Sequence, residues 1–126
     1  MRDRLYLAGP MGGIPGLNFK SFNAAAKRLR KSGWEVFNPA EAGFQPKKRD
    51  RGNLWRFFMS KDINALLACQ HVVVLPGWER SKGARLEVHI ARELGMEVFD
   101  YVPLPTGGAG LGLIIEVKAK KPRKPR

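Results

Sequence analysis

The sequence predicts an α/β domain in which helices cover both faces of a mainly parallel sheet. Short apolar segments alternate along the chain with stretches of helical hydrophobic spacing, and one segment, Val72–Leu75, is apolar throughout. An uninterrupted apolar run is typical of a central parallel strand that is covered on both faces. Alternation of strands with helices indicates right-handed crossovers between parallel strands. The predicted architecture is therefore a three-layer Rossmann-like (flavodoxin-like) domain with a parallel sheet of about 4–5 strands flanked by helices.

The first strand is predicted over Leu5–Ala8 and stops at Gly9 and Pro10. These two residues open a glycine-rich loop, whose backbone can approach a ligand closely. A helix follows, for which Asn18 is the expected N-cap and Ser32-Gly33 the C-terminal stop. Apolar residues at helical spacing support this helix: Phe19, Phe22, Ala26 and Leu29.

The second strand is predicted over Glu35–Phe37, and residues 40–52 show no strong periodicity. Their basic run, Lys47–Arg51, is most simply a solvated loop, with a lid over a phosphate as the alternative. A second helix spans about 53–67. Its buried face is predicted to consist of Leu54, Phe57, Phe58, Leu66 and Leu67. Asp62 interrupts that face without a basic residue on its own helix, so its burial requires another partner.

The third strand runs into a polar turn and a third helix, which carries Glu87 in its second turn. Ligands in open α/β sheets bind at the carboxyl ends of strands, and phosphates bind at helix N-termini. Ser81 and Gly83 are therefore placed to hold an anion. The residues three and four positions from Glu87 carry no positive charge, so no ion pair on its own helix can neutralise it.

Gly95 is expected to end the third helix, and Val98–Val102 is the predicted fourth strand. We assign residues 1–105 to the α/β domain. Residues 106–126 are predicted to hold a glycine-rich linker, a segment at 113–117 that is either an edge strand or a partner-binding strand, and a basic flexible tail. The linker glycines do not match the dinucleotide-binding fingerprint.

Composition favours one basic domain with anionic partners. The 126 residues, 44% of them hydrophobic, suffice for one core and not for two domains. The formal net charge is +12, and the chain stays basic without the six cations of residues 118–126. A lone cysteine, Cys69, excludes an internal disulfide and fits a reducing compartment. With no apolar run of roughly 18 residues and no secretory signal, we expect a cytoplasmic protein without a membrane partner.

Four features occur in a particular order along about residues 4–102. They are the first-strand sequence Leu5–Pro10, the pair Asp62-Ile63 on the second helix, the apolar third strand, and the spacing Ser81-x-Gly83-x-x-x-Glu87-x-x-x-Ala91. In this order the chain resembles the nucleoside 2-deoxyribosyltransferase superfamily, especially its small bacterial and phage members and the related 2'-deoxynucleoside 5'-monophosphate N-glycosidases. Lysine-decarboxylase-like phosphoribohydrolases fit less well, since their glutamate follows the strand at a shorter spacing.

The resemblance implies three catalytic residues. Glu87 would attack the anomeric carbon of a deoxyribose and form a covalent glycosyl-enzyme, which water or a second base resolves. Tyr6 would hydrogen-bond the nucleophile and orient it. Asp62 would contact the base or sugar and help to protonate the leaving base, which requires burial to raise its pKa. The ordinary alternatives are an exposed helix glutamate, a half-buried strand aromatic, and a carboxylate paired with a distant arginine.

The resemblance also implies a binding site for substrate. Ser81 and Gly83 would hold a 5'-phosphate, although Ser81 can equally be an N-cap alone. Trp78 would either stack on a base or cover the edge of the core. The pocket wall would be shaped by Gly9, Pro10 and Met11. His71 and His89 are assigned structural roles, and we predict neither a metal nor a cofactor.

The leading functional hypothesis is cleavage or transfer of the N-glycosidic bond of a 2'-deoxynucleoside or its 5'-monophosphate, with hydrolysis preferred over transfer. The resembling enzymes are oligomers whose sites borrow residues from a neighbouring subunit, which implies a dimer or a higher assembly. The alternative is a non-catalytic nucleotide-binding or nucleic-acid-binding module that uses the basic tail.

Overall fold

The computed structural model describes residues 3–102 and the backbone of residues 113–116. Five strands form one sheet: β1 (Arg4–Ala8), β2 (Glu35–Phe37), β3 (His71–Val74), β4 (Glu97–Val102) and β5 (Leu113–Glu116). Three α-helices connect them: α1 (Phe19–Lys31), α2 (Leu54–Leu67) and α3 (Lys82–Glu93). The strand order is β2-β1-β3-β4-β5, with the first four strands parallel and β5 antiparallel to β4. This arrangement confirms the predicted α/β fold.

The core consists of two layers, one on each face of the sheet. Because side chains alternate along a strand, Leu5 and Leu7 of β1 face one side, while Tyr6 and Ala8 face the other. Helix α1 packs on the first side through Phe22, Ala25, Ala26 and Leu29. Helices α2 and α3 pack on the second side through Leu66, Ala84, Val88 and Ala91. Tyr6 is thereby directed into the layer that carries α2 and α3.

The Asn18 side chain does not cap α1 in the way that the sequence predicts. Asn18 occupies the N-cap position, but its side chain makes no capping hydrogen bond. Instead its Nδ2 donates to the carbonyl oxygen of Pro10 at 2.9 Å. Gly16, Leu17 and Asn18 all have positive φ, so this amide fixes a left-handed turn between the end of β1 and α1.

Helix α2 buries a narrower face than its sequence predicts. Phe57 and Leu66 are buried as expected, and Met59 is buried with them. The prediction is wrong for three residues, which are exposed: Leu54, Phe58 and Leu67. Apolar residues lie on several sides of this helix, so periodicity does not single out the side that packs on the sheet.

The backbone of residues 113–116 decides between two predictions for that segment. It pairs antiparallel with β4, from Phe99 opposite Glu116 to Val102 opposite Leu113, and is therefore the edge strand β5. The predicted linker before it and the basic tail after it lie outside the described residues. Within the described part of the chain, no helix is both long and apolar enough to cross a membrane.

Close contact between the ends of β1 and β3 leaves no room for a side chain at Gly9. The amide of Leu75 donates to the carbonyl oxygen of Ala8 at 2.8 Å, and a Cβ on Gly9 would lie 2.9 Å from the Cβ of Leu75. We expect Gly9→Ala to lower the free energy of unfolding by about 1–3 kcal/mol, because neither backbone can retreat. Urea denaturation measures this change.

Gly12 supplies the matched control, since a Cβ there has nothing within 4 Å. Gly12→Ala should leave the unfolding free energy nearly unchanged. Equal effects of the two substitutions would contradict the steric explanation.

Candidate active site

A cavity of about 1000 Å³ opens at the carboxyl ends of the parallel strands. Its walls are the segments that follow β1, β2 and β3, together with residues of α1, α2 and α3. Most lining side chains are apolar, and two carboxylic acids, Asp62 and Glu87, lie among them. Carboxyl groups in an apolar cleft at a strand end are typical of catalytic sites in α/β proteins.

Tyr6 and Glu87 form a buried pair in this cavity. The phenol of Tyr6 donates a hydrogen bond to Oε2 of Glu87, and the two residues are 0% and 5% exposed. The Tyr6 ring is stacked on Phe37, with ring centroids 5.6 Å apart. Strand β1 and helix α3 thus bring together two residues that are 81 positions apart in the sequence.

The electrostatic setting of Glu87 favours its neutral form. The pKa of Glu87 is raised to about 8. Burial is the largest cause; the hydrogen bond from Tyr6 lowers the pKa in part, and the nearby Asp62 carboxylate adds a smaller increase. Burial likewise raises the pKa of Tyr6 well above its usual value, so the phenol remains a hydrogen-bond donor. Glu87 is therefore neither exposed nor paired with a cation in the described residues.

Asp62 projects from α2 into the cavity, and burial raises its pKa to about 6. It makes no hydrogen bond or ion pair with any residue that the structure describes, which argues against pairing with a distant arginine. A carboxylic acid with this pKa can hold a proton near neutral pH and release it to a substrate.

Ser81 and Gly83 both line the cavity and both have structural roles. The Ser81 hydroxyl oxygen accepts a hydrogen bond from the Ala84 amide at 3.1 Å, so Ser81 is the N-cap of α3. A Cβ on Gly83 would lie 3.0 Å from Sδ of Met59, so glycine there lets α3 approach α2. These contacts leave the Ser81 hydroxyl hydrogen free to donate to a ligand.

Two cations at the cavity wall were missed by sequence reasoning. Arg80 and Lys82 flank Ser81 and line the cavity with it. The Nζ of Lys82 lies 4.1 Å from the ring centroid of Trp55, at the start of α2. The sequence feature that could have indicated them is the presence of a cation on each side of Ser81. A turn has no periodicity, however, so the sequence does not predict where its side chains point.

Trp78 does not lie in the cavity, where stacking on a base would place it. It is not among the residues that line the cavity; it packs against the core layer of α2 and α3, with the Arg92 guanidinium 5.8 Å from its ring centroid. These contacts favour the interpretation that Trp78 covers the edge of the core, and stacking on a base stays a prediction. The other predicted wall residues line the cavity: Gly9, Pro10 and Met11.

The two histidines lie away from this cavity. His71 begins β3, and its ring contacts Asp3 at 3.1 Å and accepts from the Glu97 amide at 3.3 Å. His89 is exposed on α3. Among residues 3–102, no three side chains of the metal-binding types lie together.

Comparisons with known proteins agree with the fold. A family model described as "Domain of unknown function (DUF4406)" matches residues 3–100. Among solved structures, a 2-deoxyribosyltransferase from the psychrotolerant bacterium Bacillus psychrosaccharolyticus, described as a biocatalyst for the synthesis of nucleosides, is similar. It is 21% identical, with a TM-score of 0.61 over 77% of this chain and 70% of that one. A search of curated proteins found no match. The structural likeness confirms the resemblance at the level of the fold.

Burial of Glu87 makes stability depend on pH. Its pKa rises from 4.5 to about 8 on folding, so the folded chain retains a proton that the unfolded chain releases between these values. Stability should therefore fall as pH rises through this window, and above pH 8 the folded state bears the full cost of a buried charge. We expect Glu87→Gln to raise the melting temperature by about 5 °C or more at pH 8.5.

The same substitution should change the melting temperature little near pH 4, where the carboxyl is mostly neutral in both states. Glu93→Gln, on an exposed position of the same helix, is the matched control. An equal melting temperature for wild type and Glu87→Gln at pH 8.5 would show that the buried carboxylate carries no such cost.

Proposed function

This chain belongs to the family described as Domain of unknown function (DUF4406), and we propose that it is a nucleoside 2-deoxyribosyltransferase-like enzyme. Its reaction is cleavage of the N-glycosidic bond of a 2'-deoxynucleoside or its 5'-monophosphate through a covalent deoxyribosyl-Glu87 intermediate. The observation that carries the proposal is the buried Tyr6–Glu87 pair in a cavity with a second carboxylic acid, Asp62.

In the first step an oxygen of the Glu87 carboxylate forms a bond to the anomeric carbon while the carbon–nitrogen bond to the base breaks. The transition state is positively charged at the sugar, so a carboxylate in an apolar site stabilises it more than it would in water. Tyr6 holds the carboxylate through one oxygen and leaves the other available for attack. The proton for the departing base comes from Asp62.

In the second step water attacks the anomeric carbon and displaces Glu87 as a carboxylate. Asp62, now ionised, accepts the proton of that water, as the acid becomes the base in retaining glycosidases. A second base in place of the water would give transfer. We favour hydrolysis, and Arg80, Ser81 and Lys82 at the wall suit the 5'-phosphate of a nucleotide substrate.

In the form of the enzyme that reacts, Asp62 is protonated and Glu87 is ionised. In the free enzyme Glu87 is the weaker acid, with a pKa of about 8 against about 6 for Asp62. Most molecules with a single proton therefore hold it on Glu87. Positive charge developing on a bound sugar shifts that proton toward Asp62, because it stabilises the Glu87 carboxylate.

We also propose that the enzyme is cytoplasmic and assembles into a dimer or a higher oligomer. Cys69, the lone cysteine of the sequence, is buried and free, and a chain with one cysteine fits a reducing compartment. The stretch after Val102 is the candidate for contributing to the assembly.

The activity is tested by chromatography of free base released from a panel of deoxynucleosides and deoxynucleoside 5'-monophosphates, with and without an acceptor base. Glu87→Ala should lower the rate of release by about 1,000-fold or more, because no covalent intermediate can form. Tyr6→Phe should lower it by about tenfold, since the nucleophile remains but loses its orientation.

Glu93→Ala, on the exposed side of the same helix, is the matched control and should retain full activity. Base release that persists in Glu87→Ala would contradict the covalent mechanism. No release by the wild type from any substrate, even with an acceptor base, would favour the non-catalytic binding module.

The two acids also predict the pH dependence. We expect kcat/KM to be bell-shaped, falling below about pH 6, where both acids are protonated, and above about pH 8, where no proton remains for the base. Asp62→Asn should remove the alkaline limb and move the remaining limb from about pH 6 to higher pH, because only the weaker acid, Glu87, then titrates, and its pKa is raised mainly by burial. A profile of unchanged shape in Asp62→Asn would exclude Asp62 as the proton donor.

A further inference from the structure

The segment beside the cavity mouth carries more cations than the one phosphate of a single nucleotide can contact. Residues 47–61 contain six exposed cations and one acid, Asp50. The cations are Lys47, Lys48, Arg49, Arg51, Arg56 and Lys61. A nucleoside monophosphate offers one phosphate, and Arg80, Ser81 and Lys82 already line the cavity where one could bind.

These cations are largely unpaired. Asp50 accepts from the backbone amide of Lys47 at 2.9 Å, and its carboxylate lies 4.0 Å from the Nε of Arg49. Among the described residues, the remaining cations of this segment have no acidic partner. Elsewhere in the described residues two arginines have an acidic partner, in the pairs Arg4–Glu35 at 3.4 Å and Arg30–Glu41 at 2.6 Å. Exposed cations without partners are available to an external polyanion.

The basic segment is continuous with the cavity. It begins three residues after Phe44 and contains Trp55 and Phe58, and all three of these aromatic residues line the cavity. Trp55 and Phe58 are 44% and 40% exposed, so aromatic surface is accessible beside the mouth. Lys82 contacts the Trp55 ring from the opposite wall. Aromatic side chains between cations are the pattern of surfaces that bind single-stranded nucleic acid.

We propose that this basic–aromatic rim, residues 47–61 with Arg80 and Lys82, binds single-stranded DNA. Its phosphates contact the cations of the rim, one base stacks on Trp55, and an adjacent nucleotide enters the cavity. The additional phosphates of the strand bind the rim cations that a single nucleotide, with its one phosphate, would not contact. Binding by the rim goes beyond the proposed reaction and does not require the chemistry of Glu87.

The experiment is fluorescence anisotropy of a labelled 12-nucleotide oligodeoxythymidine titrated with the full chain at several salt concentrations. The Lys47→Gln/Lys48→Gln variant should bind about fivefold more weakly. The slope of log affinity against log salt should become shallower by about 1.4, since two phosphate contacts are lost. The matched control, Lys27→Gln/Lys31→Gln, removes two exposed lysines from α1 on the other face of the sheet and should bind like the wild type.

Stacking is tested at Trp55. Trp55→Ala should weaken binding about tenfold, and Trp55→Phe should restore most of it, because any aromatic ring offers a face for a base. A blunt-ended duplex of the same length should bind more weakly than the single strand, since its bases are not accessible. The basic tail is present in every variant, so it does not affect these differences.

Three results would overturn the proposal. Equal losses of DNA affinity in the two double-lysine variants would show that binding depends on the net charge of the chain and not on the rim. Equal affinity for the duplex and the single strand would show that no base is contacted. Unchanged DNA binding in Trp55→Ala, together with dissociation of an oligomer in sedimentation, would show that a second copy of the chain covers this face. Retained DNA binding by a wild-type chain that releases no base from any substrate would count only against the proposed reaction.

Discussion

The hydrogen bond between Tyr6 and Glu87 constrains how strand β1 and helix α3 meet in the cavity. A carboxyl group that is 5% exposed and has no cation beside it in the described residues is tolerated only if a donor reaches it. Tyr6 supplies that donor from β1, so the strand and helix α3 must meet at this one point. Gly83 is part of the same constraint, because a larger residue would push α3 away from Met59 on α2.

The acidic and basic side chains of the site differ in how deeply they are buried. Its carboxyl groups lie among apolar residues, where burial raises their pKa values, while its cations stand at the wall and on the exposed segment beside the mouth. The acids lie in a region of low dielectric, which favours their neutral forms in the free protein, while the cations lie near water and stay charged. The same arrangement lets an anionic substrate approach without meeting an ionised carboxylate first.

Much of this architecture was predictable, because alternation and periodicity report burial directly. The continuous apolar run of β3 and the absence of a cation near Glu87 on its own helix both follow from spacing along the chain. The side of α2 that packs on the sheet did not follow from spacing, since Phe58 and Met59 are adjacent and only one is buried. Turns were the weakest part of the prediction. Whether Trp78 faces the cavity or the core depends on the backbone between β3 and α3, where no repeating pattern exists.

The ends of the sheet have a consequence for how copies of this chain behave when crowded. A long uncovered strand at the edge of a sheet offers unsatisfied amides and carbonyls to any neighbouring chain and so promotes fibrous aggregation. Here the sheet begins with β2, which has three residues, and ends with β5, which has four. Exposed Glu35 adds a charge to the shorter of these edges. Within the described residues each border thus offers few free backbone groups to a neighbouring molecule. The apolar strand β3, also four residues long, lies in the middle of the sheet, where β1 and β4 already pair with both of its edges.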